Sequence, residues 1–420
     1  VKSTKPASAA RTVTAAAIGS GFEIYDFTLF AFFAVSIAPA FFPAADKATS
    51  LLLTVATFGI GAIMRPIGAV VLGLYADRIG RKSVLSATVL MMGAGSVAIG
   101  LIPSYASIGM WAPILVVLAR MMQGLSAGGE LGTAMTLVSE QAPVHRRGLY
   151  TSLVSAASLG GTLFSAGLGL LLQYLLGPES MAEWGWRIPF LIGGLIAPVG
   201  FYIRARLPES KLFVEVKAIA SHTVVPHVKV RLLLCLIAGV IPGTVVNYLT
   251  LIYMPTYLHQ YLNVSLNVSF QAVMLGAIVV AILSPLGGML SDRMDRRRLI
   301  LCGNLALLVS SYPLYRALGM STPFGTLLGV LCGFGVLLTL VIVPMVPLAA
   351  ELLPTIGRST GMSLTLALPI ALFGSCSPLI VSALILWTGN PLAPAFYVMS
   401  AALVGVIGVA LLPIRPIAKL

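Results

Sequence analysis

The loop GLYADRIGRK (Gly73–Lys82) returns as GMLSDRMDRR (Gly288–Arg297), 215 positions further along the chain. A second pair agrees with it: Glu140, Pro143 and Arg147 in EQAPVHRR recur as Glu351, Pro354 and Arg358 in ELLPTIGR, at an offset of 211. Two matches at nearly one offset mark an internal duplication, and each copy follows the same ordinal apolar segment of its half. The surroundings of these loops are strongly apolar. Hydrophobic residues make up 58% of the 420 residues and charged ones 9%, with a mean hydropathy of +1.00. A soluble domain carries about 25% charged residues, so the polar surface needed to face water on all sides is missing. Apolar runs of about 20 residues recur along the whole length, the helical signature, whereas outer-membrane barrels use short alternating segments. The expectation is an all-α polytopic membrane protein.

Cutting at Gly, Pro and charge clusters gives helices at 14–42, 50–75, 83–103, 110–140, 148–175 and 187–206, then 231–258, 268–290, 299–318, 323–352, 359–388 and 392–413. That is twelve spans in two six-helix halves, 1–206 and 231–420, joined by a polar linker at 207–230. Of the 26 Lys and Arg residues, 21 fall in alternate loops on one side. The positive-inside rule then places both termini in the cytoplasm. The same rule accounts for the net charge of +13 and excludes nucleic acid as a partner. Cys235, Cys302, Cys332 and Cys376 lie in apolar segments without paired spacing, as packing residues do, and suggest no metal site. The first apolar run continues past the length of a signal-peptide core, so no cleavable signal is expected.

Parallel repeats of this kind place a substrate site between the halves near mid-membrane, and access alternates as one half rocks against the other. The repeated loops suit a gate. In the first copy its residues are Asp77, Arg78, Arg81, Glu140 and Arg147, and in the second Asp292, Arg293, Arg296, Glu351 and Arg358. An Asp at one helix end, followed by basic residues entering the next, can bridge helix ends and break when the halves separate. The plainer role is setting topology and capping helices.

Together with RMMQGLSAGGE around Arg120, these loops resemble signatures of the major facilitator superfamily. EIYDF (23–27), MRPIGAVVLG (64–73), RMMQGLSAGGELG (120–132) and EWGWRIPFLIGG (183–194) resemble its metabolite:proton symporter branch. The resemblance covers nearly the whole chain. It implies proton-driven import of citrate, 2-oxoglutarate, other dicarboxylates, shikimate, aromatic acids, proline or betaine, at a bacterial inner membrane. The stretch at 108–133 is most similar to the citrate and 2-oxoglutarate members, so a small carboxylate is the expected substrate. No cofactor is implied beyond the coupling proton, with Na⁺ left open, and the lipid bilayer is the only other partner of what is expected to be a monomer. The sequence departs from the family pattern at Ile24, where an aromatic is usual, at Asp295, where Gly is expected, and in LALPIALFGSCSP (366–378).

Five ionisable residues lie well inside spans, all in the first half: Glu23, Asp26, Arg65, Arg120 and Glu130. A carboxylate at bilayer depth costs about 2.5–3.5 kcal/mol on insertion scales. Glu23 and Asp26, three apart, share one face of their helix. Three acids face two arginines, so two readings compete: a permanently paired core, or one acid free to load and release a proton. Asp26, deepest on its helix, leads as the proton-coupling acid, with Glu130 and Glu23 beside it. Arg65, next to Pro66, reads as structural. Arg120 is either an acid's partner or the anion ligand, since a guanidinium grips a carboxylate through two hydrogen bonds. Tyr25 and Gln123, in the same motifs, group with it as substrate-binding residues.

The second half supplies polar groups at this depth, Asn247, Tyr248 and Tyr253, which suit either an anion's orientation or ordinary interhelical bonding. Pro344, Pro347, Pro369 and Pro378 suggest kinks around a gate, and His259 and Arg316 read as interfacial. An osmoprotectant importer for betaine or proline and a proton-coupled drug exporter are alternatives within transport; a membrane receptor is the one outside it. No metal-spaced His or Cys set, phosphate loop or nucleophile triad supports an enzyme.

Overall fold

The computed structural model describes residues 6–43, 47–205, 214, 228–319 and 322–413. The expected linker at 207–230 lies almost wholly outside them. Among the described residues the chain forms twelve long helical segments. In the first half these are α1 (Pro6–Phe32, resumed after Phe33 as Ala34–Phe41), α2 (Lys47–Ile79), α3 (Arg81–Leu101), α4 (Trp111–Gln141), α5 (Arg147–Ser180) and α6 (Arg187–Ala205). In the second they are α7 (Val230–Asn247, a π turn Tyr248–Tyr253, then Met254–Leu262), α8 (Leu266–Arg293), α9 (Arg296–Ala317) and α10 (Phe324–Leu352). They end with α11 (Arg358–Pro369, a π turn Ile370–Gly374, then Ser377–Thr388) and α12 (Ala393–Ala410). Among the described residues, ten of these are long and apolar enough to cross a membrane.

The duplication read from the loops is a duplication in space. Helix α2 packs on α4 and α3 on both α4 and α6; in the second half α8 packs on α10 and α9 on both α10 and α12. Between the halves α2 meets α11, and its counterpart α8 meets α5. One departure from the family pattern has a local reason. Gly80, which separates α2 from α3, has φ 119°, a region that favours glycine. Its counterpart Asp295 has φ −63° and caps α9, its carboxylate accepting from the Arg298 amide at 2.8 Å, so no glycine is needed there. Of the prolines, Pro344 and Pro347 sit inside an unbroken α10. Pro369 precedes the π turn of α11, and Pro378 opens its last segment.

Close helix packing in the first half runs along one glycine stripe of α4, Gly124, Gly128 and Gly132, spaced four apart. A Cβ at Gly124 would stand 2.1 Å from the Gly61 carbonyl oxygen, and at Gly128 1.9 Å from that of Arg65. At Gly132 it would stand 2.3 Å from the Cα of Ser363 in the second half. Four-residue spacing drifts slowly around a helix, so one stripe serves α2 first and α11 next. EWGWR fixes α6 against α3: Arg187 donates to the carbonyls of Gly100 (3.0 Å) and Ile102 (2.7 Å) at the end of α3. Trp186 is fully buried, edge-on to Phe41 and Phe190.

Gly128→Ala should therefore lower the thermal midpoint of the purified protein, since forced overpacking costs about 1–3 kcal/mol or more. Gly160→Ala, whose added Cβ would meet nothing within 4 Å, should leave it unchanged. A melting curve in detergent of the two variants beside the parent checks this.

Candidate functional site

The buried charges of the first half divide into two groups around Phe27. Glu23 and Asp26, although three residues apart, turn to different neighbours. Glu23 faces Arg65 of α2, whose Nη2 stands 3.7 Å from Oε1. The Arg65 guanidinium lies 4.1 Å from the centre of the Phe27 ring. Asp26 instead accepts from Ser96 Oγ of α3 on one carboxylate oxygen and from Gln123 Nε2 of α4 on the other. The far end of the Gln123 amide, Oε1, accepts from Arg120 Nη1 at 2.8 Å. Arg120 is itself packed between Phe27 (5.1 Å) and Phe30 (4.7 Å). Asp26 of α1 and Gln123 and Arg120 of α4 thus form one continuous chain, with Ser96 of α3 tied to its acidic end, and cation–π contact of this desolvated kind contributes about 2 kcal/mol or more. Every member of both groups is at most 4% exposed, so neither bulk water nor a solute reaches them in this conformation.

Glu130 is equally buried, on α4 between Gly129, which packs on Leu72, and Gly132, which packs on Ser363 across the interface. Tyr25 does not join the cluster: its hydroxyl donates to the Pro189 carbonyl of α6 at 2.8 Å and its ring lies against Phe164 of α5. In the second half Asn247 is half-buried at the end of the first stretch of α7. Tyr248 is buried in the following π turn, against Gly374 in the π turn of α11. Tyr253 shares a hydrogen bond with Ser382 (2.7 Å) and a tilted ring contact with Tyr257. Ser96 and Phe27 were not singled out from sequence. A serine and a phenylalanine among apolar neighbours carry no signal until the partner helices are in place.

The end of the bundle that carries the basic loops is shut by two copies of one arrangement. Asp77, at the end of α2, accepts from the first free amides of α11, Ser359 (3.2 Å) and Thr360 (2.9 Å), and from the Thr360 hydroxyl (2.7 Å). Asp292, at the end of α8, accepts in the same way from Gly148 (2.7 Å) and Leu149 (2.9 Å), the first turn of α5. Helix starts expose unpaired N–H groups and a partial positive charge, so a carboxylate fits there electrostatically as well as by hydrogen bonding. Beside Asp77, Glu140 takes Arg81 at 3.3 Å and, across the interface, Arg358 at 2.9 Å. Beside Asp292, Glu351 pairs with Arg296 and, across the interface, with Arg147 at 3.4 Å. Arg78 and Arg293 are exposed on the same surface.

A duplicated twelve-helix bundle with charges buried in its first half, and with helix ends cross-tied between halves, defines a secondary membrane transporter. The chain belongs to the Major Facilitator Superfamily, whose family model matches residues 25–368. It is 38% identical to the citrate-proton symporter of Klebsiella pneumoniae over 395 residues, 93% of this chain and 88% of that one. It is 31% identical to the proline/betaine transporter of Salmonella typhimurium over 417 residues, 94% of this chain and 82% of that one. The fold is shared with a proton:xylose symporter solved with 6-bromo-6-deoxy-D-glucose, at a TM-score of 0.78 and 16% identity, covering 96% and 95% of the two chains.

Charge-assisted hydrogen bonds are worth about 1.5–3 kcal/mol, and each 1.4 kcal/mol is tenfold in an equilibrium. Asp77→Asn or Asp292→Asn should therefore raise opening of the basic end by about 10- to 100-fold. The readout is the alkylation rate of a cysteine placed at Ser363 in a form lacking the four native cysteines; an unchanged rate would show that these carboxylates do not hold the end shut.

Proposed function

We propose that the chain is a proton-coupled symporter that imports a small organic carboxylate, with citrate the leading substrate, across the bacterial inner membrane by alternating access. The observation that carries this reading is the chain Asp26–Gln123–Arg120, which joins a protonatable group to an anion-binding one. It is supported by 38% identity to a citrate-proton symporter. The basic end faces the cytoplasm on the strength of its charge, and the cross-tied loops are its gate. One chain supplies both halves and acts as a monomer. The substrate crosses with no bond made or broken.

The chemistry follows from the donors around Asp26. Ser96 and Gln123 each donate to a different carboxylate oxygen, an arrangement that suits the ionised acid, which only accepts. A carboxyl proton needs an acceptor, so taking one up requires a donor to turn away. Rotation of the Gln123 amide presents its Oε1 to the new carboxyl proton and its NH₂ to Arg120. The arginine then gives up the Gln123 carbonyl, and a substrate carboxylate takes that place through two parallel hydrogen bonds. Proton uptake thus precedes anion binding, and substrate affinity rises as pH falls through the range in which Asp26 takes up its proton. Glu23, held by Arg65, keeps α1 against α2, and Glu130 is a second protonatable position beside the interface. Asn247 and Tyr248 complete the anion's surroundings from the second half.

A betaine or proline importer is the second reading, favoured by relatives at 31% identity. A lone positive ligand such as Arg120 suits a carboxylate in either case, but these zwitterions also need an environment for a cationic group.

The test is uptake into vesicles of purified protein under an imposed proton gradient, with citrate, 2-oxoglutarate, succinate, shikimate and betaine side by side and a Na⁺ gradient as a separate arm. Citrate should accumulate above its external concentration and a protonophore should abolish this. Accumulation of betaine alone, or citrate uptake driven only by Na⁺, would overturn the assignment. Asp26→Asn should keep citrate exchange but lose accumulation, and Gln123→Leu should reduce accumulation more than exchange.

A further inference from the structure

On the outer surface of the first half, α1 and α5 frame an apolar groove of about 550 Å³; its floor is the seam where their backbones touch, a Cβ at Gly161 standing 2.0 Å from the Gly21 carbonyl oxygen. It looks away from the second half. The side of α5 that meets α8 carries Gly148 and Ser152, both against Gly288, whereas the groove is walled by Leu153, Gly160 and Phe164, further round the helix. Its other wall is α1, from Val13 past Ile18 to Tyr25. Ile18, Leu153 and Phe164 are 38–54% exposed, and in a membrane-spanning bundle that exposure is to lipid. Tyr25 contributes only its ring, since its hydroxyl is turned to Pro189.

The dimensions fit one hydrocarbon chain. Val13 to Tyr25 is about 18 Å of helix, close to the ~15 Å of a single leaflet of a ~30 Å hydrocarbon core. The groove's basic-end limit carries charge. Arg11 is exposed and precedes Ile18 by seven residues and Tyr25 by fourteen, so all three share one face of α1. A guanidinium at the mouth of an apolar slot, on the end of the protein that collects the Lys and Arg residues, is complementary to a phosphate and unlike a site for a neutral molecule.

We propose that this groove binds one anionic phospholipid from the leaflet at the basic end, an acyl chain lying along the seam of α1 and α5 and the headgroup phosphate paired with Arg11. The bound chain lies against the side of α1 opposite the Asp26 cluster and buttresses the helix that carries it. The site is independent of which solute is transported.

Native mass spectrometry of the delipidated full chain tests this, with phosphatidylglycerol and phosphatidylethanolamine of identical acyl chains as probes. The parent should retain one phosphatidylglycerol in preference to phosphatidylethanolamine. Gly160→Phe fills the groove from a position where an added Cβ meets nothing within 4 Å, and should abolish retention of either lipid without lowering the thermal midpoint. Arg11→Gln should keep a lipid but lose about fivefold of the headgroup preference, the share of one basic residue near an anionic surface. Gly329→Phe, at an exposed glycine in the second half that is equally open, should retain the lipid as the parent does. Equal retention of both lipids by the parent, retention by Gly160→Phe, or equal loss in Gly329→Phe would overturn the proposal.

Discussion

A charge held in hydrocarbon must find its partners inside the protein, and in this chain that constraint is met by one amide. Gln123 gives its NH₂ to Asp26 and its carbonyl to Arg120, so an acid and a base are bridged through a group with a donor at one end and an acceptor at the other. Both charges are fully buried, where a half-satisfied network would be worse than an apolar core. Phe27 and Phe30 take up the remaining faces of the guanidinium. The arrangement fixes the mutual positions of α1, α3 and α4, and the glycine stripe of α4 brings α2 and α11 to the same helix.

What the halves do to each other follows from that packing. Gly132 of α4 touches Ser363 of α11, one turn from the amides that Asp77 holds. The cluster and the cross-ties of the basic end are thus joined through short stretches of α4 and α11. The cross-ties at the basic end are built twice from the same residues, with the helix start of α11 captured by Asp77 and that of α5 by Asp292. Its first copy is the more buried: Arg81 and Glu140 side chains are fully covered, whereas Arg147 and Glu351 retain 22% and 23% exposure. Screening by water and salt weakens the second copy more than the first, so the α8–α5 side is the easier one to part.

Much of this was legible in the sequence, because duplication and charge placement survive without coordinates. The two offsets of 215 and 211 named the cross-tied loop residues in pairs, and the isolated charges named the cluster. The resemblance to a transporter family, now shown, followed from those motifs. What the sequence withheld were the partners. Helical spacing put Glu23 and Asp26 on one face but carried no information on which neighbour each would meet. Tyr25 lay in the same motif as the acids, yet a helix of 3.6 residues per turn sends it toward α5 and α6. Ser96, Phe27 and the amides of α5 and α11 gave no signal, since their roles depend on contacts between distant segments. Asp295 read as a departure and is an N-cap, a role that shows only with the backbone angle at hand.

Coupling through this bridge requires a proton to enter at Asp26 before an anion reaches Arg120. The direct measurement is calorimetric: titrate citrate into the purified protein in buffers of different ionisation enthalpy, and take the number of protons bound per citrate for the parent and for Asp26→Asn. Net proton uptake on binding is expected in the parent and should disappear in the variant, with citrate still bound. Equal proton uptake by both proteins would contradict it.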